Sequence, residues 1–397
     1  MIAREQYLKQ LIQFKDSDFI KVITGVRRCG KSVLLTQYRD YLRTHDVDAE
    51  HIIYINFESF EYQWVKSADD FQQLISRVLP ATKEKIYFLF DEIQYVENWQ
   101  KILNAVRVSF NTDIVITGSN ASLLSGELAT LLSGRYVEIR LYPLSFREFL
   151  EAKNIDPQSR LVDQAYTEYE KYGAFPSVVL ADEMLKDTIL SGIFDSIVLN
   201  DVAYLAGVKD TQTLRSVIAF LADNVGQLVN PNKISKTLSA ERVPTNNHTI
   251  NKYLELLENA FLFYKAKQYD IRGKGYLKTN SKYFIVDNGL RRYAVGKKDA
   301  NYSNRLENIV FLELLRRGYT VDVGKLESKE IDFIARKIDE ILYVQVTYDI
   351  PDNTHETGNL LKIKDNYRKI LITGRYQPQK CIDGVPVIYV VDWLIAK

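Results

Sequence analysis

Between Gly25 and Ser32 the chain reads GVRRCGKS, two glycines around two arginines and a cysteine, with a lysine and a serine at once behind. The spacing G-x-x-x-x-G-K-[ST], after one apolar run and ahead of another, is the pattern that wraps main-chain N–H groups around a phosphate. Glycine permits the tight turn, the following helix adds its positive end, and Lys31 would bridge the outer phosphates of a nucleotide. Ser32 would offer its hydroxyl to a Mg²⁺ ion on the same phosphates. Gly25, Val26, Arg27, Arg28, Cys29, Gly30, Lys31, Ser32 and Val33 would then line the phosphates, with solvated positions as the alternative for Arg27 and Arg28.

The loop lacks a carboxylate, which both the metal and an attacking water require. IYFLFDEIQ supplies two, Asp91 and Glu92, at the end of an apolar strand-like run, where ligands collect in open α/β sheets. Asp91 would hold Mg²⁺ through its water shell and Glu92 would polarise the hydrolytic water; a solvated strand end is the plain alternative. The next run ends in ITGSN, where Thr117, Ser119 or Asn120 would orient water against the γ-phosphate or cap a helix. Arg135, after a glycine in LLSGRY, would reach a neighbouring subunit's nucleotide as an arginine finger, or form a surface ion pair.

Such residues need a rigid frame. β-branched and aromatic runs at 19–25, 51–57, 85–92, 113–119 and 136–144 alternate with helical spacing, the pattern of a parallel sheet flanked by helices. Residues 146 to 207 read as helices, a lid or connector broken at Pro176. Three helices and two strands around IRGKGYLKTN follow, and from Asn304 a helix leads into VDVGKL, KEIDFIARK, EILYVQVTY, LITG and VPVIYVVDW as strands. The expected domains are 1–150, 151–208, 209–295 and 300–397.

GVRRCGKS, FLFDEIQYVENW, ITGSNASLLSG and GRYVEIRLYPLSFREFL resemble the AAA-like ATPases widespread in bacteria and archaea, in which a winged-helix segment and a C-terminal domain of unknown function follow the ATPase. YGAFPSV and KYFIVDNGLRR look like the same family, so the likeness covers nearly the whole chain. It implies an α/β P-loop core of the additional-strand type, ATP hydrolysis with Mg²⁺, and a capacity for self-association.

Pro231 to Arg292 hold twelve Lys or Arg against five Asp or Glu, in a chain whose total charge is +1. NKISKTL and HTINKYLELLE have helix-turn-helix spacing, and RGKGYLK reads as a basic wing. Asn246, Asn247, His248 and Thr249 open the expected recognition helix, with Lys252 a turn later; double-stranded DNA or a protein partner would be the ligand. In the tail, Glu307, Asp332 and the strand YVQVTY line up with the nuclease fold that binds Mg²⁺ through a helix Glu, an Asp and a Glu-x-Lys. Gln345 stands in place of that carboxylate and Thr347 in place of the lysine, so the resemblance implies a restriction-nuclease-like fold with an inactive site, where Glu307 and Asp332 would make ordinary capping contacts and ion pairs or, as the alternative, hold a metal weakly.

Composition sets the outer bounds. With 46% apolar and 26% charged residues the chain is a folded protein, and 52 basic against 51 acidic side chains leave nucleic-acid affinity to a local patch. Cys29 and Cys381 are in no metal spacing, and His45, His51, His248 and His355 form no ligand set. Few cysteines, no apolar N-terminal export core and no run of about 18 to 20 apolar residues lead to the expectation of a soluble cytoplasmic protein. The reading is an Mg²⁺-dependent ATPase whose nucleotide state governs DNA or protein binding. A nucleotide-gated scaffold with negligible turnover is the alternative, and an ATP-dependent nuclease a weaker one.

Overall fold

The computed structural model describes residues 2–124, 134–204, 207–208, 210–243, 245–296, 302–350 and 355–396. These divide into two compact units, 1–142 with 259–261, and 143–258 with 262–397.

The first unit is built on five parallel strands, β1 (Ile20–Thr24), β2 (Ile52–Asn56), β3 (Ile86–Asp91), β4 (Thr112–Gly118) and β5 (Tyr136–Arg140), in the order β2-β3-β4-β1-β5. β4 lies between β1 and β3, the inserted strand of the additional-strand arrangement. Every residue of β1 and β3 is buried, as expected of central strands covered on both faces. Helices α1 (Glu5–Gln13), α2 (Lys31–Thr44), α3 (Ala68–Val78) and α4 (Trp99–Ser109) accompany the sheet. α3 starts on a capping box in which Ser67 and Asp70 bond reciprocally, so its first turn is fixed by local sequence. Its Phe71 meets Phe57 and Phe90 edge-on at 5.6 and 5.2 Å. At the end of β1 remote from the phosphate loop, fully buried Lys21 and Asp113 pair at 2.6 Å and tie β1 to β4.

The second unit is helical from Phe146 to Tyr204, apart from short connections, and then forms three helices, Thr211–Asp223, Pro231–Ala240 and Asn247–Asn259. Its sheet has eight strands among the described residues. The hairpin of β6 (Phe263–Asp270) and β7 (Gly275–Ile285), whose loop RGKGYLK reads as a wing in the sequence, is the edge of this sheet. β6 pairs in parallel with β8 (Thr320–Leu326), so segments 209–295 and 300–397 share one layer. β9 (Lys329–Arg336), β10 (Ile341–Thr347), β11 (Arg368–Thr373), β12 (Cys381–Ile382) and β13 (Val385–Tyr389) complete it, in the order β12-β13-β11-β10-β9-β8-β6-β7. The run VPVIYVVDW is a strand only as far as Tyr389. Val390, Val391, Trp393 and Leu394 are all buried, a helical spacing that overrides β-branched propensity and makes Val390–Ile395 a helix.

Two short motifs meet in this unit. Asp287 accepts main-chain hydrogen bonds from Ala174 (2.6 Å), Gly289 (2.8 Å) and Leu290 (3.1 Å), joining YGAFP to the helix Asn288–Val295. A Cβ on Gly173 would lie 2.0 Å from the Asp287 carboxylate, so the contact requires glycine.

Candidate nucleotide site and the C-terminal ion cluster

The phosphate loop joins β1 to α2. Gly25 has φ +148°, and a Cβ there would stand 2.2 Å from the Leu141 oxygen; Gly30 has φ +107° and caps α2. The loop therefore turns where side chains are excluded. Lys31 is buried. Its Nζ donates to the oxygens of Gly25 (3.2 Å) and Val26 (3.4 Å) and to Ser119 Oγ (2.9 Å), and lies 3.4 Å from Glu92 Oε1.

The acidic pair faces this lysine because β3 and β4 lie side by side. Thr117 Oγ1 donates to Asp91 Oδ1 at 2.6 Å and accepts from the Glu92 amide at 2.8 Å, holding the turn in which Glu92 takes φ +54°. Tyr54, on β2, donates to Asp91 Oδ2 at 3.1 Å, and Ser32 also bonds the Asp91 carboxylate. Ser119 Oγ donates to the Glu92 carboxylate at 2.9 Å, and Gln94 Nε2 donates to the same group.

The two carboxyls are pushed apart in acidity. Burial raises Asp91 above its ordinary value against the bonds from Thr117, Ser32 and Tyr54. Burial acts the same way on Glu92, but the Lys31 ammonium, with Gln94 and Ser119, outweighs it and leaves this carboxyl below its ordinary value. Glu92 is thus held ionised, and Asp91 and Ser32 offer the hard oxygen donors that Mg²⁺ prefers.

Lys31, Ser32, Asp91, Glu92, Thr117 and Ser119 are brought together. Val26 and Cys29 are buried in the loop, and burial raises the Cys29 thiol. Arg28 and Val33 are exposed, whereas Arg27 turns aside, donating to Glu58 Oε1 at 2.7 Å and to the Tyr95 hydroxyl at 3.4 Å. Asn120 follows β4 and is half-buried. Arg135 is exposed at the start of β5, where its main-chain oxygen accepts from Ile20, the first residue of β1. β1 and β5 are parallel, so Arg135 sits at the sheet end away from the loop and does not serve its own chain's phosphates. Residues 125–133 of the stretch ahead of it lie outside the described residues, as does the side chain of His355. Tyr54 and Gln94 carried no motif and were legible only through strand adjacency.

In the second unit, Glu307 (helix Tyr302–Arg316), Glu330 and Asp332 converge on a lysine that sequence reasoning missed. Lys282, on β7, lies 2.8 Å from Glu307, 2.7 Å from Glu330 and 4.0 Å from Asp332. β9 carries an extra residue here, because Asp322 pairs with Ile334 and Gly324 with Ile331. The bulge takes Asp332 out of the ladder, and its Oδ2 accepts from the Val346 amide at 2.8 Å. Burial raises Glu307 and Asp332 above the ordinary carboxyl range despite Lys282. For Lys282 itself, burial is outweighed by Glu307, Asp332 and Glu330, and the ammonium is strengthened. Gln345 is buried with its Oε1 unpartnered among the described residues, and Thr347 Oγ1 donates to the Asp349 oxygen at 2.7 Å.

The basic middle segment is less outward than its count implies. Lys282 and Arg291 are buried, Arg272 pairs with Glu327 at 2.7 Å and Arg292 pairs with Asp187. Lys233, Lys236, Arg242, Lys252 and Lys274 are exposed. Asn246 Oδ1 accepts from the Thr249 amide at 2.9 Å, and Asn247 donates to Asn232, while His248 is exposed.

Residues 17–150 match the AAA domain family, and residues 163–301 match a domain of unknown function, DUF8612, which runs across the expected lid and winged-helix segments as one piece. An uncharacterised protein of Haemophilus influenzae is 79% identical over 395 residues, covering 100% of this chain and 99% of its own. The uncharacterised protein MJ1544 of Methanocaldococcus jannaschii is 33% identical over 353 residues, covering 85% and 76%. Among solved structures, the Walker-type ATPase PABY2304 of Pyrococcus abyssi aligns at 14% identity over 74% of this chain and 96% of its own, with a TM-score of 0.49. No described helix is long and apolar enough to cross a membrane. The chain belongs to the family of the Haemophilus and Methanocaldococcus proteins, and its N-terminal unit is an AAA-type P-loop domain.

Proposed function

We propose that the protein binds ATP with Mg²⁺ in its N-terminal unit and hydrolyses it, and that nucleotide state governs binding by its C-terminal unit. The convergence of Lys31, Ser32, Asp91 and Glu92 carries this reading, because it joins a phosphate-facing cation and hard oxygen donors to an ionised base. Ser32 and Asp91 would hold the metal, whose contribution is to neutralise charge on the phosphates. Glu92 accepts the proton of the attacking water, and Ser119 and Gln94 orient its carboxylate. Arg135 would act only on a neighbouring copy's nucleotide, which requires self-association. Steady-state ATP turnover by the wild type, Lys31→Ala and Glu92→Gln tests the assignment. Turnover unaffected by Lys31→Ala overturns it, and negligible wild-type turnover with tight nucleotide binding selects the gated-scaffold alternative.

The output surface is the helix pair Pro231–Ala240 and Asn247–Asn259, read as a winged-helix element whose exposed Lys233, Lys236, Lys252 and Lys274 meet a DNA backbone. Stimulation of turnover by double-stranded DNA that fades with added salt supports it; a salt-independent response, or none, favours a protein partner. We read the C-terminal strands as a nuclease-like fold without nuclease activity, since Lys282 already neutralises the acids that would otherwise take a metal. Magnesium-dependent cleavage of plasmid DNA that is lost in Asp332→Ala would reverse this reading.

A further inference from the structure

Arg4 belongs to none of the motifs, yet its long charged side chain is 2% exposed. The guanidinium donates from Nη1 to the main-chain oxygen of Cys29 at 3.0 Å and from Nη2 to that of Tyr142 at 2.7 Å. The Arg4 amide donates to Gln37 Oε1 on α2 at 3.3 Å, and Gln37 Nε2 donates back to the Ile2 oxygen at 2.7 Å. Residues 2–4 are thereby fastened both to the phosphate loop and to the helix that follows it.

The bond to Cys29 has a directional effect. A trans peptide points its C=O and N–H in opposite directions. Holding the Cys29 oxygen toward Arg4 turns the Gly30 N–H away from Arg4, toward the side from which an anion approaches. The loop needs such outside support, since Gly30 at φ +107° and Arg28 at φ +66° are both left-handed, a conformation that costs an arginine energy. The guanidinium also lies 3.7 Å from where a Cβ on Gly30 would stand, so a full positive charge rests beneath the loop in a buried place where water screens it little.

We propose that Arg4 is a positioning residue of the nucleotide site, which orients the Gly30 amide toward the phosphates by gripping the Cys29 carbonyl. The inference rests on the nucleotide-binding reading above, but its first consequence is visible without nucleotide. In Arg4→Met the amides of Cys29, bonded to the Val26 oxygen at 3.3 Å, and of Leu34, bonded to the Gly30 oxygen at 3.0 Å, exchange hydrogen faster than in the wild type. With Mg²⁺ present, ATP and ADP bind that variant on the order of ten- to a hundredfold more weakly, the scale of one lost charge-assisted hydrogen bond. Arg4→Lys, which keeps the charge and can reach one carbonyl, recovers part of both effects and serves where Arg4→Met does not fold. Val106→Ala, a core truncation on α4, lowers the melting temperature and leaves nucleotide affinity and loop exchange unchanged. Wild-type exchange and affinity in Arg4→Met, or equal losses in Val106→Ala, overturn the inference. A wild type that binds no nucleotide overturns the nucleotide-binding reading, and the exchange data still decide whether Arg4 orders the loop.

Discussion

Lys31 in the first unit and Lys282 in the second are both buried against carboxylates, and the two clusters differ in what else the ammonium can reach. Lys31 faces one ionised carboxylate and spends its remaining donors on the oxygens of Gly25, Val26 and Ser119, contacts that phosphate oxygens can replace. Lys282 is surrounded by three acids, two of them pushed toward protonation by burial, so its ammonium is already engaged by carboxyl oxygens and has nothing to offer an anion. What separates them is the backbone. Glycines and a helix N-terminus open the first cluster, whereas Gly226 presses on the second so closely that a Cβ there would sit 2.5 Å from Glu307.

The comparison breaks most readily at Lys31, where Lys31→Ala is expected to abolish measurable ATP turnover while circular dichroism remains that of the folded protein. Glu92→Gln should cut turnover about 10²- to 10⁴-fold, the worth of a positioned base, and retain ATP, as filter binding with labelled nucleotide would show. Lys282→Met should leave turnover in place and cost the second unit roughly 3–5 kcal/mol in denaturant unfolding, because it strands buried carboxylates. Shifting the pH toward 5 should narrow that loss, since the stranded acids then take up protons.

Asp287 sharpens the contrast as a carboxylate held by three main-chain donors, with the Arg316 charge acting on it and, among the described residues, no bonded lysine. Burial raises it to about 6. The folded state therefore binds a proton that the unfolded chain releases near its ordinary value. The stability this contributes is fully present below about pH 4 and is lost as pH rises through about 6. Asp287→Asn should lack that slope, which is worth up to about 3 kcal/mol across the window. Denaturant titrations at pH 4.5 and 7 would measure it.

The first cluster was legible because its residues are adjacent in the chain or end neighbouring strands of a repeating pattern. GVRRCGKS and the Asp91–Glu92 pair each announce themselves, and β3 and β4 bring Ser119 to Lys31 without long-range surprises. The second was half legible. Glu307 and Asp332 were found from a fold pattern, but Lys282 lies on the strand after the loop read as a basic wing, and only the pairing of β6 with β8 brings it to them. Arg4 was hidden for a related reason: a single arginine ahead of a helix has no spacing to betray which carbonyls it will meet. The count of basic residues in the middle segment misled in the same way, since charge in a sequence does not reveal that Lys282 and Arg291 point inward.

The parallel pairing of Gln268–Asp270 with Val323–Lys325 limits how the protein can be cut or exchanged. A fragment stopping at residue 301, where the DUF8612 match ends, would keep β6 and β7 as a two-stranded ribbon with one flank of β6 stripped of its hydrogen-bonding neighbour. Such a bare flank is a template for strands of other copies, so a fragment of that length is expected to aggregate where the whole chain does not.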